Sequence, residues 1–280
     1  MESEVRPIFV LGAPRSGTTM IGNYIGSGRS VLNVGEYRAF YVTQALVPEA
    51  LEGGISPPEW FVDRARYLQE VQSHAKSFIE KIAREKGCRS YCDATPRNIH
   101  VGRKLAALLP SALFILTLRH YTGVLQSLAR HDFEWIEPKT WPARAQVWVS
   151  SYNSAAFLPR DRTIPFSYDR LCADPAETID RFNKRLQAAG VDVSELDSAV
   201  FARSHATRPG DQRPTVSVRT GEGNWQLQPI PSYDRAAWTD HIQAQVTPLV
   251  ASTDDLLGLM YPDAYSAPAG YASANAATAP

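Results

Sequence analysis

Residues suited to holding an anion follow one another in Pro14-Arg15-Ser16-Gly17-Thr18-Thr19, separated from the apolar run Ile8-Phe9-Val10-Leu11 by Gly12 and Ala13 alone. The chain bends through Gly12, Ala13 and Pro14 and resumes as a helix from about Gly17, so the stretch reads as strand, tight loop, helix. Backbone N–H groups in the first turn of a helix have no intrahelical partner, and the macrodipole adds positive potential there. A phosphate or sulfate satisfies both. Arg15, inside the loop, adds a planar cationic fork.

The outline Gly12, four residues, Gly17, Thr18, Thr19 matches a Walker A loop except at Thr18, where a nucleoside-triphosphatase needs lysine. Without that lysine the usual contact to the β- and γ-phosphates is missing, whereas an arginine in the loop suits a ligand with one compact, highly charged end. A second basic position closes the continuous apolar run Ala112 to Leu118, which has the composition of a strand buried on both faces of a parallel sheet. That run ends in Arg119, at the strand end where ligands of open α/β sheets bind. A nucleotide hydrolase would more often place a metal-binding aspartate there. Arginine suits an anion site without a metal. Ser127 stands eight residues further on, along the following helix.

Ala13-Pro14-Arg15-Ser16-Gly17-Thr18-Thr19 after a strand resembles the 5′-phosphosulfate loop of sulfotransferases that use 3′-phosphoadenosine-5′-phosphosulfate (PAPS), in the form closest to the tyrosylprotein-type and related bacterial branch. The resemblance implies that Arg15, Ser16, Gly17, Thr18 and Thr19 hold the 5′ end of the donor. It makes Arg119 and Ser127 the 3′-phosphate site. It also implies an acidic general base about twenty positions beyond the loop, for which Glu36 is the candidate; a solvated glutamate at a helix start is the plainer alternative. Tyr168-Asp169-Arg170-Leu171 followed by Asp174-Pro175 matches a further family block, in which Tyr168 either touches the nucleotide or serves as scaffold. Arg219-Thr220-Gly221-Glu222-Gly223-Asn224-Trp225 resembles the late segment that covers the nucleotide, with Gly221 in the cover and Arg219 at the 3′-phosphate. Two departures stand out. Asn224 replaces a basic residue of the tyrosylprotein branch, and Asp93-Ala94 lacks the lysine that relatives often carry beside that acid. Arg97 or Arg15 is then left to supply positive charge near the transferring group, and Asp93 is the competing base.

With 280 residues, 31.0 kDa and 44% apolar residues, the chain has enough apolar side chains for one large core. Its 29 basic and 29 acidic residues cancel, so no global field favours nucleic acid or an anionic membrane, and any basic site is local. No apolar run reaches the length of a membrane span, and the acidic opening Met1-Glu2-Ser3-Glu4 is unlike a secretory signal, so a cytoplasmic enzyme is expected. Cys88, Cys92 and Cys172 are too few for a disulfide framework and lack companions for a metal site.

The elements that must position these residues follow from periodicity. Apolar residues recur at three- and four-residue steps from Glu59 to about Lys86, predicting one long amphipathic helix or two short ones. A helix is expected over about Asn98 to Leu109, closed by Pro110. Trp141, Ala145, Trp148, Val149 and Tyr152 at helical steps predict core packing. Asp174 as N-cap, Pro175 at the first position and Glu177 mark another helix start. The segment from Arg203 to Trp225 reads as a long basic loop. A last helix is expected from Ser232, broken by Pro248, with a second short one to Met260. The resulting expectation is a three-layer, P-loop-like α/β fold with a central parallel sheet flanked by helices, one sulfotransferase domain over 1–261, and a disordered Ala/Ser/Pro-rich tail over 262–280. The function expected is metal-free sulfuryl transfer from PAPS to a hydroxyl of a small-molecule acceptor. An ATP-dependent P-loop kinase or hydrolase and a non-catalytic nucleotide-binding module are the alternatives.

Overall fold

The structure, a computed structural model, describes residues 5–43, 64–130, 133, 135–201 and 237–265. Arg219, Gly221, Asn224, Trp225 and tail residues 266–280 lie outside the described residues.

Strand β1 (Arg6–Gly12) leads through the anion loop into α1 (Thr18–Ile25). β2 (Val31–Gly35) and the single turn α2 (Ala39–Tyr41) follow, then the long α3 (Arg64–Glu85) and β3 (Ser90–Asp93). The helix expected from Asn98 is a tight 3₁₀ turn over Pro96–Val101 followed by α4 (Gly102–Leu108). β4 (Leu113–Leu118) precedes α5 (Tyr121–Arg130) and α6 (Trp141–Ala155). β5 (Thr163–Ser167) runs into α7 (Tyr168–Ala173), α8 (Pro175–Ala188) and finally α9 (Asp240–Met260).

The five strands form one sheet in the order β2-β3-β1-β4-β5, and every pairing is parallel. β1 and β4, in the middle, are buried almost throughout, as their unbroken apolar runs require. Alternate side chains feed two cores. Phe9, Leu11, Phe114, Leu116 and Leu118 pack with α5, α6 and α9 on one face. Ile8, Val10, Leu113 and Ile115 pack with α1 and α8 on the other. The helices leaving β1 and β4 therefore turn to opposite faces, and their strand ends part to form the crevice in which open α/β sheets bind ligands.

The Asp174 carboxylate accepts from the Glu177 amide at 3.0 Å and Pro175 begins α8, as the cap pattern predicts. Pro248 does not break the last helix. α9 runs continuously through it because Ile242, Val246, Val250, Thr253 and Leu257 form a buried stripe, and that tertiary burial outweighs the cost of about 3 kcal/mol for an interior proline. Packing also continues past residue 261: Ala264 and Tyr265 are buried, and the Tyr265 hydroxyl donates to Asp254. No helix among the described residues is long and apolar enough to cross a membrane.

Candidate active site

The loop between β1 and α1 is held by contacts that admit little substitution. A Cβ on Gly12 would fall 2.1 Å from Thr117 Oγ1 and 2.5 Å from Ser16 Oγ, so only glycine lets the loop pass β4 this closely. Ser16 Oγ and Thr117 Oγ1 are 2.6 Å apart, and Thr117 Oγ1 donates to the Leu11 carbonyl at 3.0 Å. Arg15 takes φ 73°, a left-handed conformation that costs energy for a residue with a Cβ, and Gly17 takes φ 99°. The first α-helical bond of α1 runs from the Ile21 amide to the Gly17 carbonyl at 3.1 Å, and helix geometry leaves the amides of Thr18, Thr19 and Met20 outside that ladder. The strained loop thus presents helix-start amides and a guanidinium in one place.

Arg119 is brought to the same place from β4. Its amide donates to the Tyr152 hydroxyl at 3.2 Å, its carbonyl accepts from Trp148 Nε1 at 3.1 Å, and Tyr152 donates in turn to the Thr117 carbonyl at 2.9 Å. Trp148 and Tyr152 are core residues, as their spacing predicts, and they also fix the end of the strand. Arg119 Nη1 donates to the Arg15 carbonyl at 2.9 Å, and its guanidinium lies 4.3 Å from the centre of the Tyr168 ring. Arg15 Nε donates to Ser127 Oγ at 3.1 Å. The residues expected at the 5′ end and those expected at the 3′-phosphate are therefore joined directly. Burial, and after it the positive charge of Arg119, lower the pKa of Arg15.

Thr117, Trp148 and Tyr152 were not legible as site residues. A lone threonine inside an apolar strand was the only signal for Thr117. His120, next to Arg119, is enclosed, with its amide on Asp169 at 2.7 Å and its Nδ1 beside Thr122 Oγ1 at 2.8 Å. Burial pushes its pKa down to about 3, so it is a neutral packing residue at ordinary pH.

The two candidate bases stand at adjacent strand ends, since Gly35 pairs with Asp93 in the ladder. Glu36 is exposed at the carboxyl end of β2 and pairs with Arg38 at 3.2 Å. β3 lies between β2 and β1, so Glu36 sits two strand spacings, about 10 Å, from the β1 axis. Asp93 is fully buried: Oδ1 accepts from the Thr95 amide at 2.9 Å and hydroxyl at 2.6 Å, and Oδ2 from Asn98 Nδ2 at 2.9 Å. Ala94 is buried against α1, where a Cβ on Gly22 would come within 2.5 Å of it, so a lysine at this position has no room. Arg97 is exposed one turn later.

Burial raises Asp93 from 3.8 to about 7, against the opposing pull of its donors. The folded state then holds a proton that the unfolded state releases, so stability from this group is greatest below about pH 4 and falls as pH rises toward about 7. Urea midpoints measured across that range should decline, and Asp93→Asn should flatten the decline. An unchanged slope in the variant would assign it to another group.

A five-stranded, all-parallel sheet flanked by helices, with Arg15 in the loop after β1 and Arg119 at the end of β4, has the architecture of the P-loop-like α/β class. Residues 7–192 match the profile of the sulfotransferase family, and the chain belongs to that family. It is 21% identical over 280 residues to protein-tyrosine sulfotransferase 2 of Gallus gallus, covering 96% of this chain and 72% of the relative. An uncharacterized protein of Aquifex aeolicus (strain VF5) is 30% identical over 192 residues, 62% of this chain; the match spans only 24% of that protein's length. Among solved structures, the sulfotransferase domain from the Synechococcus PCC 7002 olefin synthase superposes with a TM-score of 0.57 at 16% identity, covering 90% of this chain and 95% of that domain. Among the described residues no group of three or more His, Cys, Asp or Glu is placed to hold a metal ion.

Proposed function

We propose that this chain transfers a sulfuryl group from PAPS to a hydroxyl of a small-molecule acceptor. The observation that carries the reading is the hydrogen-bonded joining of Arg15 and Ser127, and of Arg119 and the Arg15 carbonyl, which brings the two arginines together at the loop that opens α1. When bound, the donor supplies the sulfuryl group and a phosphate leaving group. Arg15, Ser16, Gly17, Thr18 and Thr19 hold its 5′ end and stabilise the charge that grows on the leaving oxygens. Arg119 and Ser127 hold the 3′-phosphate and Tyr168 lies under Arg119; the family resemblance adds Arg219 as a further contact to the 3′-phosphate and Gly221 as part of the nucleotide cover. Glu36 takes the proton lost by the acceptor hydroxyl as its oxygen bonds to sulfur and the sulfur–phosphate oxygen bond breaks. Asp93, with both oxygens engaged, serves chiefly to shape the turn that follows β3.

Thermal-shift titration tests the nucleotide assignment. Each charge-assisted contact to a 3′-phosphate is worth about 1.5–3 kcal/mol. Adenosine 3′,5′-bisphosphate should therefore stabilise the protein at concentrations at least about tenfold below those needed for AMP. Arg119→Ala should erase the difference, and equal stabilisation of the wild-type protein by both nucleotides would contradict the assignment.

A further inference from the structure

The connections that follow three different strands meet beside the candidate bases. Tyr41 comes from the turn after β2, Arg97 from the 3₁₀ turn after β3, and Trp135 from the segment after α5, which itself follows β4. The Arg97 guanidinium lies 5.0 Å from the centre of the Trp135 ring and 5.8 Å from that of Tyr41. Arg97 is exposed, and Trp135, 42% exposed, is backed by Phe133 at 5.4 Å, which packs on the core.

Arg97 has no ion-pair partner among the described residues. Glu36, at the end of β2, is engaged with Arg38, and both Asp93 oxygens are taken by Thr95 and Asn98. Those Asp93 bonds bracket Pro96-Arg97, so the buried carboxylate fixes the turn that carries the cation without neutralising it at contact distance. A guanidinium held over aromatic faces keeps its N–H edge available for a planar carboxylate, and the exposed rim of Trp135 beside it offers apolar surface. Arg97 sits on the carboxyl edge of the sheet, the edge from which an acceptor approaches Glu36.

We propose that Arg97, Tyr41 and Trp135 form an acceptor subsite that selects hydroxylated aromatic acids, with Arg97 on the carboxylate and Trp135 along the ring. The inference rests on the sulfotransferase reading for its purpose, but its binding preference is measurable alone. Calorimetric titration of the full chain, with and without saturating adenosine bisphosphate, would use 4-hydroxyphenylacetate and tyramine, which share a phenol ring and differ in the charge of the side chain. The carboxylate should bind at least about tenfold more tightly than the amine, the discrimination expected of one charge-assisted contact. Arg97→Ala should remove that preference and Arg97→Lys should keep part of it, while both variants remain stabilised by adenosine bisphosphate. Equal binding of the two probes, no saturable binding of the carboxylate, or an unchanged preference in Arg97→Ala would overturn the subsite. Failure of the bisphosphate to stabilise any form would instead count against the donor reading, and the probe preference in nucleotide-free protein would still decide on the subsite.

Discussion

Glu36→Gln should leave adenosine bisphosphate affinity unchanged and lower sulfuryl transfer at least about 100-fold, the usual worth of a positioned general base. An alcohol or phenol is a weak nucleophile near neutral pH, and its oxygen must lose a proton as it bonds to sulfur. Glu36 is the accessible carboxylate at the end of β2, held by Arg38 at 3.2 Å, whereas Asp93 in the next strand is buried with both oxygens engaged. Glutamine keeps the size and the hydrogen-bond acceptor but cannot take the proton. Steady-state rates read beside nucleotide affinity separate this from a folding defect. Near-normal turnover in Glu36→Gln together with a loss in Asp93→Asn would pass the role to Asp93.

Arg15→Ala should lower kcat/KM about 10²–10³-fold, the range seen when one donor to a developing anion is removed. The variant loses the guanidinium proposed to hold the donor's 5′ end and the hydrogen bond to Ser127, so donor affinity and rate should fall together. Backbone conformation needs its own control, because Arg15 is held at φ 73°. Arg15→Gly relieves that strain and also removes the charge. If the glycine variant restores activity, the backbone shape of the loop matters and the guanidinium does not.

The parts of the fold legible in the sequence are those whose burial is one-sided or complete. β1 and β4 announce themselves by unbroken apolar runs because both faces are covered, and α8 by its Asp174-Pro175 start. β2 was not legible as a strand: it lies at the sheet edge, its residues from Leu32 to Gly35 are only half-buried, and Asn33 and Gly35 weaken the pattern. Pro248 read as a break because local propensity cannot see the packing of Val246 and Val250. At the site, Arg15 and Arg119 were legible from a loop and a strand end. That Arg15 would reach Ser127 was not, since it depends on helices turning to opposite faces of the sheet. Thr117, Trp148 and Tyr152 act through backbone carbonyls and amides, contacts that leave no residue-type signature. Tyr41, Arg97 and Trp135 come from three connections far apart in sequence, and only the fold brings them together.

The most direct test of the central claim is to incubate the purified chain with PAPS carrying radiosulfur and an extract of the source cell, and to follow label and nucleotide together. Label should move onto an organic acceptor with an equal amount of adenosine 3′,5′-bisphosphate formed, without added metal, and Arg119→Ala should suppress both. Tight donor binding with no label transferred to any component would contradict the account and leave a nucleotide-binding module in its place.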